Sequence, residues 1–314
     1  MGFLSNHMRA GAAAGGASYT PTTKGIFAFG HFADGSYTNL SNLISSSGVV
    51  SSDVTGVGTA TGYRAACTYG GDKGIYCFGQ TASSRTNSIN LVSNSGVVAS
   101  DSSGAGTATF AGAACSYGVG KGIKAYGWTT GALNESNLIS DTGGMASSIT
   151  LVGTARFAPS GVAYGEDKGI FAYGSDQAGG YYNISNLVSN VGVLSTDVTG
   201  VGTARQELGS CTYGTDKAIF AFGQNGSGRL GMSNLVSSSG VVASDVSAVG
   251  TARHSPGGVG YGSDKGIFVF GSHAPATYSN ISNLVSNSGV IATDGIGVGT
   301  ARAVIYQGAG YSTA

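Results

Sequence analysis

Apolar and polar positions follow one another along this chain in short runs, and the runs recur. The clearest opens on a lysine and reads KGIFAFG, KGIYCFG, KGIKAYG, KGIFAYG, KAIFAFG and KGIFVFG, starting at Lys24, Lys73, Lys121, Lys168, Lys217 and Lys265, 47 to 49 residues apart. A fixed period near fifty means one small supersecondary unit repeated. Between residues 202 and 250 the unit divides into GTARQELGSCTYG, TDKAIFAFG, a variable loop, SNLVSSSG and VVASDVSAVG. Each piece is strand-length and is broken at Gly, Asn, Asp or Ser, the residues that make turns. Tyr-Gly-Thr-Asp-Lys is a tight turn, so the first two pieces pair as a hairpin. AIFAFG is apolar at both alternating sets of positions and must be covered on both faces. The last piece carries Ser and Asp, which suits an outer edge strand blunted against unwanted pairing.

Four antiparallel strands, covered on both faces by neighbouring copies, describe a blade of a β-propeller. The first strand is rich in small residues (RAACTYG, GAACSYG, GGVGYG), as crowding near an axis requires. Six lysine motifs predict an all-β fold of six four-stranded antiparallel blades. The chain ends on GTARAVIYQGAGYSTA, a first strand with no second strand after it, and begins with a second strand, Lys24 to Gly30, that lacks a GTAR strand before it. Residues 299–311 are therefore expected to pair into the first blade and close the ring. RAGAAAGGASY, from Arg9 to Tyr19, faintly imitates a first strand and competes for that place.

Composition sharpens this picture. Charged residues are 10% of the chain and net charge is zero, against roughly 25% charged in ordinary globular chains. Such low charge suits a protein held in a larger assembly. No basic patch marks a nucleic-acid binder, and no run reaches the length of a membrane span. Gly2 invites a myristoylation reading, but Asn6 stands where that motif wants Ser or Thr. Cys67, Cys115 and Cys211 interchange with Val162, Val259 and Ala309 at one repeat position, and Cys77 replaces Ala28, Ala172 and Ala221, so all four read as small buried hydrophobes.

Candidate chemistry is sparse. The Arg of GTAR occurs as Arg156, Arg205, Arg253 and Arg302, with Thr61 and Thr109 in two units; eight residues earlier stand Asp53, Asp101, Ser148, Asp197, Asp245 and Asp294. These residues read as ties between outer and inner strands, and the invariant Asn42, Asn90, Asn137, Asn186, Asn234 and Asn283 as strand-end cross-links. His31 and His273 sit just after Gly30 and Gly271 on loops, without the Tyr-Cys arrangement of a propeller copper oxidase. With only three Glu there are no paired glycosidase carboxylates. No catalytic residue, metal or cofactor is expected. The loop after the second strand differs in every unit and gathers His31, Phe32, Tyr37, Arg85, Trp128, Tyr181, Tyr182, Arg229, His273 and Tyr278. Aromatic and Arg side chains on a loop-built face point to ligand or partner binding. The third unit departs most, with Gly120 for the turn Asp, Lys124 for the buried aromatic, and Trp128, the sole Trp.

An Arg-led inner strand, a Gly-hydrophobic strand ending in Phe-Gly, a loop and two outer strands resemble a kelch repeat over residues 18–314. The kelch double glycine appears here as one Gly and the outer Trp is absent, so the resemblance supports the propeller and transfers no activity. The MGFLS start, followed by an Ala/Gly run and an aromatic, is similar to the N-termini of tailed-bacteriophage virion proteins, and the DKGIFAFG arrays resemble propellers of phage particles. That resemblance implies a non-enzymatic structural or adhesive virion component, tail- or capsid-associated and made in the host cytoplasm. Residues 1–17 are then an attachment segment, with Phe3, Leu4, Met8 and Arg9 as docking contacts. Its partners are other virion structural proteins and a host surface glycan or protein. A carbohydrate-binding propeller lectin using the variable loop face is the alternative.

Overall fold

The computed structural model describes residues 21–176, 178–247, 250–303 and 307–313. Their regular structure is β-strand arranged as a six-bladed propeller. Blade 2 shows the unit in full: Ala65–Tyr69, Lys73–Gln80, Arg85–Val92 and Ser102–Ser103 pair antiparallel in that order. Blades 3 and 5 repeat it. In blades 4 and 6 the outer strand shrinks to single bridges, Ser185 to Val198 and Ser282 to Gly295. Elsewhere the outer strands are two residues long and exposed, short enough to offer little template for a foreign strand.

Blade 1 is built from both ends of the chain. Ala309–Tyr311 pairs with Lys24–Ala28, which pairs with Leu40–Ile44 and then Val54–Thr55. The C-terminal strand thus closes the ring. The competing segment Arg9–Tyr19, the attachment segment 1–17 and its contacts Phe3, Leu4, Met8 and Arg9 lie outside the described residues.

The second strands are buried on both faces, as their unbroken apolar runs require. Close packing between blades explains the Gly of KGI. The sulfurs of Cys67, Cys115 and Cys211 lie where a Cβ on Gly122, Gly169 and Gly266 of the next blade would stand. All four cysteines are buried, and burial pushes their thiols up, so they act as small apolar groups.

The strongest polar device lies at the blade interfaces. The aromatic of each Phe-Gly pair adopts a left-handed backbone, φ 57–68°, a conformation unfavourable to bulky side chains. Over each such ring sits a cation from the next blade: Arg64 over Phe29, Lys124 over Phe78, Arg156 over Tyr126, Arg205 over Tyr173, Arg253 over Phe222 and Arg302 over Phe270, at 3.9–4.9 Å. Desolvated contacts of this kind stabilise by about 2 kcal/mol. The arginines also donate to backbone carbonyls; Arg205 Nε reaches Phe222 O at 2.9 Å. Their second partner is the invariant Asn, with Arg205 Nη2 donating to Asn234 Oδ1 at 2.6 Å. The aspartates stand farther off, 3.5–4.0 Å from Arg Nη1, with a long hydrogen bond from Arg302 to Asp53, and accept closer bonds from the Asn amide and from the Thr of GTAR. Burial pulls Arg64, Arg253 and Arg302 down to about 10, which leaves them charged at neutral pH.

Candidate functional site

Antiparallel strands place the loops after the second strands and the turns between blades on one face, and the tight hairpins on the other. On the hairpin face the Asp-Lys pairs stay partly solvated, 2.8–3.6 Å apart. There the axis opens into a funnel of about 510 Å³ lined by small residues including Ala66, Thr68, Ser116 and Thr212. Thr22 and Thr23 lie on its wall, and Thr23 N donates to Ser312 Oγ at 2.9 Å. Gln307 crosses the axis behind it, accepting from Ala114 N at 2.8 Å and donating to the carbonyls of Ala114 and Gly161.

The loop face is chemically richer. At the five Arg positions where it is described, the second residue onward turns toward the axis with positive φ: Tyr63, Ala111, Ala158, Glu207 and Ser255. Their backbones link in series, Ala111 N to Tyr63 O, Ala158 N to Ala111 O, Glu207 N to Ala158 O and Ser255 N to Glu207 O, at 2.7–3.1 Å. The residue before each pairs across to the first residue after Phe-Gly, as in Phe110 with Trp128, Gln206 with Gln224 and His254 with Ser272. Loops and blade junctions therefore meet as one surface around the axis.

One half of that surface is aromatic. His31 stacks on Tyr63 at 4.9 Å and meets the edge of Tyr278 at 5.4 Å; Tyr63 packs edge-on to Phe110 at 5.6 Å, and Trp128 to Phe157 at 5.4 Å. Tyr37 joins through His31 and Tyr63. Burial pulls His31 down to about 4, against an opposing pull from the Glu207 carboxylate, so its imidazole is neutral at physiological pH. Burial likewise raises Tyr63, reinforced by Glu207.

The other half is polar. Glu207 Oε2 accepts from Gln224 Nε2 at 3.0 Å and Ser255 Oγ at 3.1 Å, and lies 2.5 Å from His254 Nδ1. That contact orients the imidazole through Nδ1. Ser255 Oγ sits 3.0 Å from that same Nδ1. A Ser-His-acid relay needs the hydroxyl on the nitrogen opposite the carboxylate, so this trio orients groups rather than activating a nucleophile. Among the described residues no three His, Cys, Asp or Glu side chains are grouped to hold a metal.

Of the sequence-selected residues, His31, Tyr37, Trp128 and Tyr278 enter the axial surface. Arg229 flanks it through its pairing with Gln224 and its field on Tyr278. The others lie apart. Arg85 is exposed and donates to Thr129 O at 2.9 Å beside a separate hollow. Phe32 heads a local turn with Ser36 and Gly35. Tyr182 Oη reaches Asp176 at 3.2 Å, and Tyr181 lies against the Gly226 loop of the next blade. His273 is offset by one position from His31, whose true counterpart is Ser272. It is His254 whose field reaches His31, and Tyr63 and Tyr278 pack on the His31 ring.

Sequence reasoning missed Tyr63, Phe110, Phe157, Gln206, Glu207, Gln224 and His254 as a set. A signal existed: the two residues following the GTAR position take five different pairings in six units, Phe-Ala alone occurring twice, while the four before them are nearly constant. No family model matches the chain, and a search of curated proteins finds no match. The kelch-like and virion resemblances rest on the residues quoted for them.

Proposed function

We propose that this chain is a non-enzymatic structural or adhesive component of a phage particle, fixed through its N-terminal end and presenting the loop face to a receptor or partner. The observation that carries the reading is the opposition of the two faces. Residues 21–23 and 311–313 lie together on the hairpin face, so residues 1–20 join the propeller there. The variable aromatic and polar side chains gather on the far side. A body held at one end with recognition groups at the other is the arrangement adhesion needs. The virion context comes from the start sequence and the low charge.

Deleting residues 2–17 is expected to abolish incorporation into particles while the purified propeller keeps its thermal midpoint. Undiminished incorporation would remove the attachment role.

A further inference from the structure

We infer that the axial surface of the loop face is a saccharide-binding bowl, in which the Tyr63–Trp128 aromatic half packs on the C–H face of a neutral sugar and the Gln206–Arg229 half binds its hydroxyls. The inference rests on the adhesive reading and names its ligand class.

Among the described residues, four buried polar atoms on this face have no protein partner: His31 Nδ1, Gln206 Oε1, Arg229 Nε and His273 Nδ1. A buried polar atom left unpaired costs about 1–3 kcal/mol, and native structures hold few of them. Three of the four border the bowl. His31 is stacked on Tyr63, Gln206 is nine-tenths buried and pairs with Gln224, and Arg229 pairs with the same Gln224. Together they hold an acceptor carbonyl, a donor N–H and a neutral imidazole just beneath the surface, the mixture that a hydroxyl, both donor and acceptor, satisfies once it displaces the side chains above them.

Charge argues against an ion. Glu207 Oε2 already faces three polar groups, Gln224, Ser255 and His254, which blunts its pull on a free cation. Arg229 is a lone guanidinium without the cluster an anionic ligand needs. Partly exposed aromatic rings beside a few polar groups match the mixed lining of a small-ligand site.

The test uses the full chain on an array of neutral and charged oligosaccharides, with hits titrated by fluorescence of Trp128, the sole Trp. Binding to a neutral oligosaccharide is expected. Gln206→Leu and Arg229→Met should each weaken it about tenfold, the loss of roughly 1.4 kcal/mol, with the thermal midpoint retained. Lys168→Ala on the hairpin face should leave it unchanged. A blank array with folded protein, binding confined to charged glycans, or affinity indifferent to both substitutions would each overturn the inference. Whole-cell binding separates the two readings. If cells are bound while the array is blank, adhesion survives and the saccharide fails; if neither binds, both fail.

Discussion

Blade 3 and the other five blades hold the same interface by different means. Where the others place an arginine over the aromatic ring of the preceding blade, blade 3 has Thr109 at the GTAR position and sends Lys124 from its second strand instead. Lys124 Nζ lies 4.9 Å from the Phe78 ring centre and donates to Thr109 Oγ1 at 2.8 Å and Tyr126 O at 2.9 Å. The surrounding polar groups changed with it. Asn137 Oδ1, whose counterparts accept from Arg, is buried without a partner. Ser148 stands where the other blades have Asp, and Thr107 N donates to it at 3.2 Å. Blade 2 gives a milder version: Thr61 replaces Arg, and Arg64, three residues on, supplies the guanidinium. What the fold retains is a cation at a point in space, from whichever backbone position can reach it.

The largest expected effect separates the two kinds of blade directly. Arg205→Met strands Asn234 Oδ1 and Phe222 O in a buried site and should cost about 3–5 kcal/mol in chemical denaturation. Lys124→Met removes a poorly solvated ammonium and should cost only about 1 kcal/mol. Equal losses would mean that the two cations are equivalent. Next comes a double-mutant cycle. Lys124→Phe alone should destabilise blade 3, whereas Lys124→Phe with Thr109→Arg restores the common pattern and gives Asn137 Oδ1 a donor. The coupling should be favourable by about 2–3 kcal/mol, and simple additivity would break the argument.

The pH dependence is smaller. Burial pulls Lys124 down to about 8, below the ordinary 10.5. Between these values the unfolded chain binds the proton and the folded chain does not, so stability rises with pH. From pH 8 to 9.5 the gain should be on the order of 2 kcal/mol, absent in Lys124→Met; the arginines held near 10 contribute little in that window. The smallest effect is Asp245→Ser, which copies the Ser148 arrangement into blade 5. Burial pushes Asp245 up, but the Thr203 hydroxyl and the Asn234 amide outweigh it and hold its carboxyl below the usual range. Its contribution is present above that range and fades as pH falls through the lowered value. The variant should lose about 1 kcal/mol at pH 7 and show a weaker acid dependence than the parent.

The blade count and ring closure were legible because both depend on period and phase, which sequence displays directly. The staples were half legible. Counting repeat positions found four of the six cations and passed over Arg64 and Lys124, since a long side chain can reach one point from several residues. The axial surface of the loop face was the least legible. His31 and Ala303 pair across the closing seam, 272 positions apart in the sequence, and the axis brings Tyr63 within the field of Glu207 from the opposite side of the ring. The long loops drew attention because they vary in length, while the two residues after GTAR vary only in identity and lie nearer the axis.

The seam in blade 1 also sets how the molecule bears load. A pull on residue 21 enters through Lys24–Ala28, which is flanked on one side by Ala309–Tyr311 and on the other by Leu40–Ile44. Ladder hydrogen bonds run across the strands, so tension along this strand loads both ladders together in shear rather than peeling one bond at a time. The place where the ring is not covalently closed is thus gripped from both sides when the molecule is tugged by its N-terminal end.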